Sequence, residues 1–218
     1  MFISSPCLYT YAVNAFRLTE GSVRDLPPDE NWAIPAIVFA AASLEAFANE
    51  LGEEAVDIVG RSGAPTDGRL SRWAELFQAL EENHAPTLNK IRAAKRFLTG
   101  VPFDESRAPF QEVRHLFDLR NGLMHLRPVE QIELRDGQFI VVNESKLLAA
   151  SRERHLTIDP PPKREPWFWH LRTDRAARWA CNTASSIVHE IRTGAMDTEL
   201  RLHLETFIEQ QFQPLPER

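Results

Sequence analysis

The chain has 218 residues, of which 43% are hydrophobic and 26% are charged, a composition typical of a folded globular protein. Its formal net charge of −6 argues against a general basic surface for coating nucleic acid, so any nucleic-acid site would have to be local. The two cysteines, Cys7 and Cys181, lie far apart in sequence and fit neither a disulfide scaffold nor a metal-type spacing.

The sequence also gives an expectation about the membrane. The N-terminal residues show no basic start followed by a long apolar core, so no signal peptide is predicted. The most apolar run, WAIPAIVFAAASLEAFA, is interrupted by Pro35 and Glu45 and falls short of the ~18 residues of a membrane span. We therefore expect a soluble cytoplasmic protein with no membrane partner.

Helical periodicity dominates the chain. The second predicted helix is long and alanine-rich, with Pro35 in its first turn and Gly60 just past its end. Pro86 separates the third helix from the fourth, and Pro128 closes the fifth. The predicted helices span residues 5–20, 32–59, 69–83, 86–98, 107–126, 144–154, 173–193 and 197–212.

The pattern changes once, after the fifth helix. The stretch EQIELRDGQFIVV alternates apolar and polar residues around Asp136-Gly137, which predicts a short β-hairpin. A proline-rich and tryptophan-rich loop, DPPPKREPWFW, follows the sixth helix. The expected fold is all-α, a helical bundle with a hairpin after the fifth helix, forming one domain over residues 1–218.

The fifth predicted helix carries an unusual set of polar residues. At 100° per residue, its apolar arc also contains Arg120, whose guanidinium cannot lose its proton and would need a partner if buried. Asn121 and His125 lie one turn apart on the opposite face. The arc is predicted to bury Val113, Leu116, Phe117, Leu119, Leu123 and Met124.

The long second helix offers a partner for Arg120. Its apolar arc contains Glu45, and Asn49 lies at the border one turn later. A direct contact between Arg120 and Glu45 would satisfy both charges as a structural ion pair. The same contact could also hold the guanidinium while its free edge binds a phosphate, so periodicity leaves both interpretations open.

The segment Arg120-Asn121-Gly122-Leu123-Met124-His125 resembles the signature of the HEPN superfamily, an Arg and a polar residue followed after a short gap by a His. The segment AAASLEAFANELG, with Glu45 and Asn49, resembles an earlier helix of that superfamily. Residues 5–195 follow its order of helices, and residues 129–172, with the hairpin and the Pro/Trp-rich loop, look like an insertion. The helices from 173 to 212 would complete the domain.

The resemblance implies a metal-independent endoribonuclease without a cofactor, acting on RNA as a homodimer in which two motifs form one cleft. Arg120, Asn121 and His125 would be the catalytic residues, and Glu45 and Asn49 would support them. The RNA 2′-OH would attack the adjacent phosphorus, leaving a 2′,3′-cyclic phosphate and a 5′-OH. Such proteins are often toxins or phage-defence effectors, with a nucleotidyltransferase-type antitoxin as a possible partner.

One geometric difficulty accompanies this interpretation. Arg120 and His125 lie about 140° apart on a straight helix and cannot both point directly into one site. The helix could distort near Gly122, the Arg120 side chain could reach round, or a two-fold partner could supply a second motif. The alternative function is a non-catalytic HEPN-like domain that binds RNA, a nucleotide or a partner protein, with Arg120 retained for structure.

The remaining polar features have simpler interpretations. Six histidines lack metal-ligand spacing and are expected at surface or capping positions; they are His84, His115, His155, His170, His189 and His203. The tryptophans of PWFWHLR are expected to pack onto the domain rather than to stack on bases beside Arg172. A face of small residues in the seventh helix indicates close helix packing around an inactive Cys181.

Overall fold

The computed structural model consists mainly of helices, which confirms the predicted helical class. It describes residues 4–22, 32–62, 68–125, 130–135, 138–144, 146–158, 167–195, 200–202, 204–205 and 211–216, with the backbone alone for 20–22, 62, 130–135 and 138–144. The helices are α1 (Ser4–Ser22), α2 (Ala33–Ser62), α3 (Arg69–Glu82), α4 (Thr87–Thr99), α5 (Phe110–His125), α6 (Lys146–Glu153) and α7 (Asp174–Gly194).

Two antiparallel strands follow α5, β1 (Glu130–Arg135) and β2 (Gln138–Glu144). Arg135 pairs with Gln138 at one end of the ladder and Glu130 pairs with Glu144 at the other. The register shifts between Gln131 and Ile132, which is the signature of a bulge. The predicted turn at 136–137 lies outside the described residues.

Several predicted boundaries differ from the observed ones. Helix α2 continues through Gly60 to Ser62, because Arg61 pairs with Asp57 at 2.9 Å and lies 3.6 Å from the buried Glu54. Helix α5 begins at Phe110 rather than at 107, since a residue before a proline, here Ala108, disfavours the helical conformation.

The Pro/Trp-rich segment is not entirely loop, because Trp167–Leu171 forms a 3₁₀ helix. Of the predicted helix 197–212, the structure describes helical conformation at 200–202 and 204–205. Residues 211–212 form a turn and a bend, so the prediction of a helix extending to 212 was wrong at that end.

The chain divides into two compact units. Unit 1 comprises Met1–Thr10, Ala42–Arg114 and Asn182–Arg218, and unit 2 comprises Tyr11–Ala41 and His115–Cys181. The boundaries fall within α1, α2, α5 and α7, so each unit contains part of these four helices.

Unit 1 packs its aromatic side chains around the C-terminal segment. Phe212 is fully buried and stacks on Tyr9 with ring centroids 4.4 Å apart. The carbonyl of Phe212 accepts hydrogen bonds from Ser185 Oγ at 2.7 Å and from His189 at 2.7 Å. Asn182 binds the backbone of Leu215 through both its amide atoms, at 2.7 and 3.1 Å. These contacts attach residues 211–216 to α7.

Unit 2 contains parts of α1 and α2, the second half of α5, β1 and β2, α6, the 3₁₀ helix and the start of α7. Its core includes residues from each of these helices, and Trp167 and Leu171 bring the 3₁₀ helix into it. Tryptophan packing onto the domain was therefore predicted correctly for Trp167. The small-residue face of α7 is fully buried, as the sequence indicated, at Ala177, Ala180, Cys181 and Ala184.

The expectation that no stretch is long and apolar enough for a membrane span was wrong, because α2 meets that length and composition over Ala33–Arg61. Half of its most apolar window is buried inside the protein, as in the core helix of a soluble protein. Its fully buried side chains include Ile37, Leu44, Phe47 and Leu51.

Two glycines of α2 give a matched pair of variants. A Cβ on buried Gly52 would fall inside the Phe77 ring, whereas a Cβ on exposed Gly60 would meet open space. We expect Gly52→Ala to lower the free energy of unfolding by about 1–3 kcal/mol through overpacking. Gly60→Ala should raise it by up to ~0.5–1 kcal/mol, because alanine loses less backbone entropy in a helix. Urea unfolding followed by circular dichroism measures both, and equal effects would contradict the described packing.

Candidate functional site

The motif residues lie on one uninterrupted helix. Helix α5 runs through Gly122 to His125, so the option of a distorted helix is not the one the structure adopts. Asn121 and His125 are exposed, as predicted, and lie one turn apart on the same face. Arg120 is half-buried rather than buried, which corrects the expectation of a fully core-facing guanidinium.

The Arg120 side chain reaches round the helix. Its Nη1 donates a hydrogen bond to Oδ1 of Asn121 at 3.0 Å. This contact turns the Arg120 guanidinium toward Asn121, and whether Arg120 and His125 share one site stays a prediction. Arg120 and Asn121 are therefore brought together on the side of the helix where His125 also lies.

The buried arc of α5 differs from the predicted one at three positions. Met124 was predicted in the core but is 60% exposed. His115 was predicted at the surface but is buried, as is Gly122. Periodicity located the apolar arc but not its edges, because the edges depend on which elements pack against the helix. The other predicted core positions of this arc, from Val113 to Leu123, are buried.

Gly122 explains where that arc ends. A Cβ at this position would lie 3.0 Å from Leu147 Cδ2 and 3.3 Å from Trp167 Cη2. The absence of a side chain thus lets α6 and the 3₁₀ helix approach the α5 backbone closely. The sequence signal was present, since a glycine inside a helical pattern often marks such an approach.

His115 is a second residue of α5 that packs against α6, and it also contacts α7. Its Nε2 lies 3.0 Å from Ser151 Oγ, and its ring meets Trp179 edge-on with centroids 5.5 Å apart. Ser151 Oγ also donates to the carbonyl of Leu147 at 2.9 Å. His170 is buried as well, so the expectation of a surface or capping position was wrong for both histidines.

The other predicted histidine positions have mixed outcomes. His84 and His155 are exposed at helix ends with φ of 50° and 55°, as capping positions require. His189 is half-buried against the C-terminal segment, and His203 lies outside the described residues.

The two supporting residues lie in unit 1, whereas the motif lies in unit 2. Asn49 Oδ1 accepts a hydrogen bond from Lys90 Nζ at 3.0 Å, and Lys90 also pairs with Glu81. Asn49 therefore has a structural partner within its own unit. Glu45 is half-buried, so the large penalty expected for removing one partner of a fully buried ion pair does not apply to it. Its contact with Arg120 stays a prediction.

The Cys181 thiol is poorly suited to act as a nucleophile. Cys181 is buried, and this burial raises the pKa of its thiol to about 12. Among the described residues, no three His, Cys, Asp or Glu side chains group in a way that could hold a metal ion.

Compared with protein-family models, curated proteins and solved structures, the chain matches none.

The two thiols provide a direct check of burial. In the native protein at pH 8, a thiol reagent should modify exposed Cys7 quickly and leave Cys181 unmodified, because the reactive thiolate of Cys181 is suppressed. Denaturant should release the second thiol. Mass spectrometry of the labelled protein counts the modified residues, and fast labelling of Cys181 in the native state would show that α7 is not packed as described.

Proposed function

We propose that this protein is a metal-independent endoribonuclease of the HEPN type, in which Arg120, Asn121 and His125 act on RNA. The observation that supports it most directly is the hydrogen bond from Arg120 to Asn121, which places a guanidinium beside the exposed face that carries His125. In this proposal, residues 129–172, with the hairpin, are an insertion into a HEPN-like bundle.

Each side chain has a role that its chemistry suits. The planar guanidinium of Arg120 donates paired hydrogen bonds to phosphate oxygens, which stabilises charge as it builds at phosphorus. His125 moves the proton of the attacking 2′-OH or of the leaving 5′-oxygen. Asn121 holds the guanidinium in place through its Oδ1 and leaves its amide nitrogen available as a donor.

A homodimer is part of the proposal. Met124 is 60% exposed between the motif residues Asn121 and His125, where the sequence predicted a core position. An apolar side chain beside the motif suits a face covered by a second copy, and two-fold symmetry would then bring two motifs to one cleft.

The alternative is a non-catalytic domain that binds RNA, a nucleotide or a protein partner. The net charge of −6 favours it, because a nuclease acting on long RNA gains from a basic surface. In that case the Arg120–Asn121 hydrogen bond has a structural role. A cytoplasmic location and a nucleotidyltransferase-type antitoxin partner belong to the proposed nuclease function.

Cleavage of labelled RNA in EDTA separates the two functions. Wild type should cleave, and His125→Ala should lower the rate by at least ~10²-fold, because general acid–base catalysis typically contributes 10²–10⁴-fold. Arg120→Lys should also lose most activity, since lysine cannot form the planar pair of hydrogen bonds.

Two matched variants serve as controls for this assay. Arg114→Lys changes an exposed arginine of the same helix, and His84→Gly removes an exposed histidine from the end of α3. Both should keep wild-type activity. Undiminished cleavage by a folded His125→Ala protein would refute the mechanism, and loss of helicity in that variant would show that His125 is structural.

The dimer has its own test. Met124→Asp places a charge on the proposed interface and should convert a dimer to a monomer at micromolar concentration in light scattering, while circular dichroism stays unchanged. Leu202→Asp, at another exposed apolar position, is the control and should leave the dimer intact. A monomeric wild-type protein that still cleaves RNA would eliminate the composite cleft but not the chemistry of the motif.

A further inference from the structure

A pocket of about 370 Å³ lies in unit 2 between the end of α6 and the start of α7. This volume is within the ~300–1,000 Å³ of typical small-molecule sites. Three basic side chains line it, Arg152, His155 and Arg175. None of them belongs to the motif on α5, and the proposed ribonuclease mechanism uses none of them.

The walls of the pocket are tied together by hydrogen bonds. Thr173 Oγ1 donates to the carbonyl of Leu156 at 2.8 Å and accepts from the amide of Ala176 at 2.9 Å. The amide of Ile158 donates to the carbonyl of His170 at 2.8 Å. Residues 156–158 are thus fixed to both the 3₁₀ helix and α7. The backbone of this wall is therefore already in place, which reduces the part of the entropic cost of binding that comes from ordering the chain.

The charges of the pocket favour an anion. Among the described residues that line the pocket, two carry a guanidinium, Arg152 and Arg175, and one carries a carboxylate, Asp174, which lies 3.7 Å from the guanidinium of Arg178. Arginine is the side chain best suited to paired hydrogen bonds with phosphate. Thr157 adds a hydroxyl donor, and Ile158 adds an apolar wall that could contact a sugar or a base.

We propose that this pocket binds a phosphate monoester of about mononucleotide size, with Arg152, Arg175 and His155 as its phosphate ligands. The phosphate could belong to a free nucleotide or to the phosphorylated end of an RNA strand. The test of this pocket does not depend on the proposed ribonuclease function, because it measures binding rather than cleavage.

The backbone of His155 makes a clean variant possible. His155 has φ of 55° and lies at the end of α6. Its amide donates to the carbonyl of Arg152 at 2.8 Å, and the amide of Leu156 donates to the carbonyl of Ser151 at 2.9 Å. This is the helix-ending position that glycine usually occupies. His155→Gly therefore removes the imidazole while keeping a conformation that glycine adopts more easily.

His84 provides the matched control, because it closes α3 in the same way with φ of 50°. The amides of His84 and Ala85 bond to the carbonyls of Glu81 and Leu80 at 3.0 and 2.8 Å. His84 does not line the pocket. His84→Gly thus reproduces the backbone change of His155→Gly without touching the proposed ligand set.

The test is calorimetric titration of the full chain with inorganic phosphate, adenosine 5′-monophosphate and adenosine. Phosphate and the monophosphate should bind, and adenosine should not. His155→Gly and Arg175→Gln should each weaken monophosphate binding by about tenfold, the effect of losing one charge-assisted hydrogen bond. His84→Gly should bind as wild type does, and Asp174→Asn should bind more tightly because it removes a negative charge.

A wild type that binds neither phosphate nor the monophosphate would overturn the proposal, as would adenosine binding equal to the monophosphate. Unchanged affinity in the folded Arg175→Gln protein would overturn it too. A short RNA with a 5′-phosphate, compared with its 5′-hydroxyl form, distinguishes the sources. Tighter binding of the phosphorylated RNA than of the monophosphate assigns the pocket to an RNA end, and the reverse assigns it to a free nucleotide.

Discussion

The contact at Gly122 is the constraint on which the site depends. Because this residue has no side chain, Leu147 of α6 and Trp167 of the 3₁₀ helix pack directly against the α5 backbone. Gly122 and His115 therefore belong to the buried face of α5, and Asn121 and His125 lie on its exposed face. A side chain at position 122 would meet Leu147 Cδ2 at 3.0 Å and Trp167 Cη2 at 3.3 Å, so these two side chains would have to move to admit it.

Much of the fold could be predicted from the sequence, because helix periodicity and proline positions are local signals. The break at Pro86 between α3 and α4 is an example, and so is the buried alanine-rich face of α2. Helix ends were less predictable. Gly60 would end a helix by its own preference, but Arg61 pairs with acidic residues one and two turns earlier, Asp57 and Glu54, and the helix continues.

The candidate site could be predicted in part. The exposure of Asn121 and His125 follows from their positions around the helix at 100° per residue, since polar residues one turn apart define a solvated face. The burial of His115 could not be predicted, because it depends on a partner that is distant in sequence, Ser151. The pocket beside α7 is built from segments that no local pattern connects.

The central claim is that the motif on α5 catalyses attack by the RNA 2′-OH. The most direct measurement compares an RNA containing one preferred cleavage position with the same strand carrying a 2′-deoxy nucleotide there, and identifies the product ends by mass spectrometry. The proposed mechanism predicts a 2′,3′-cyclic phosphate and a 5′-OH from the RNA and no cleavage at the deoxy position. Equal cleavage of the two strands would contradict it, because a reaction that does not need the 2′-OH requires another nucleophile.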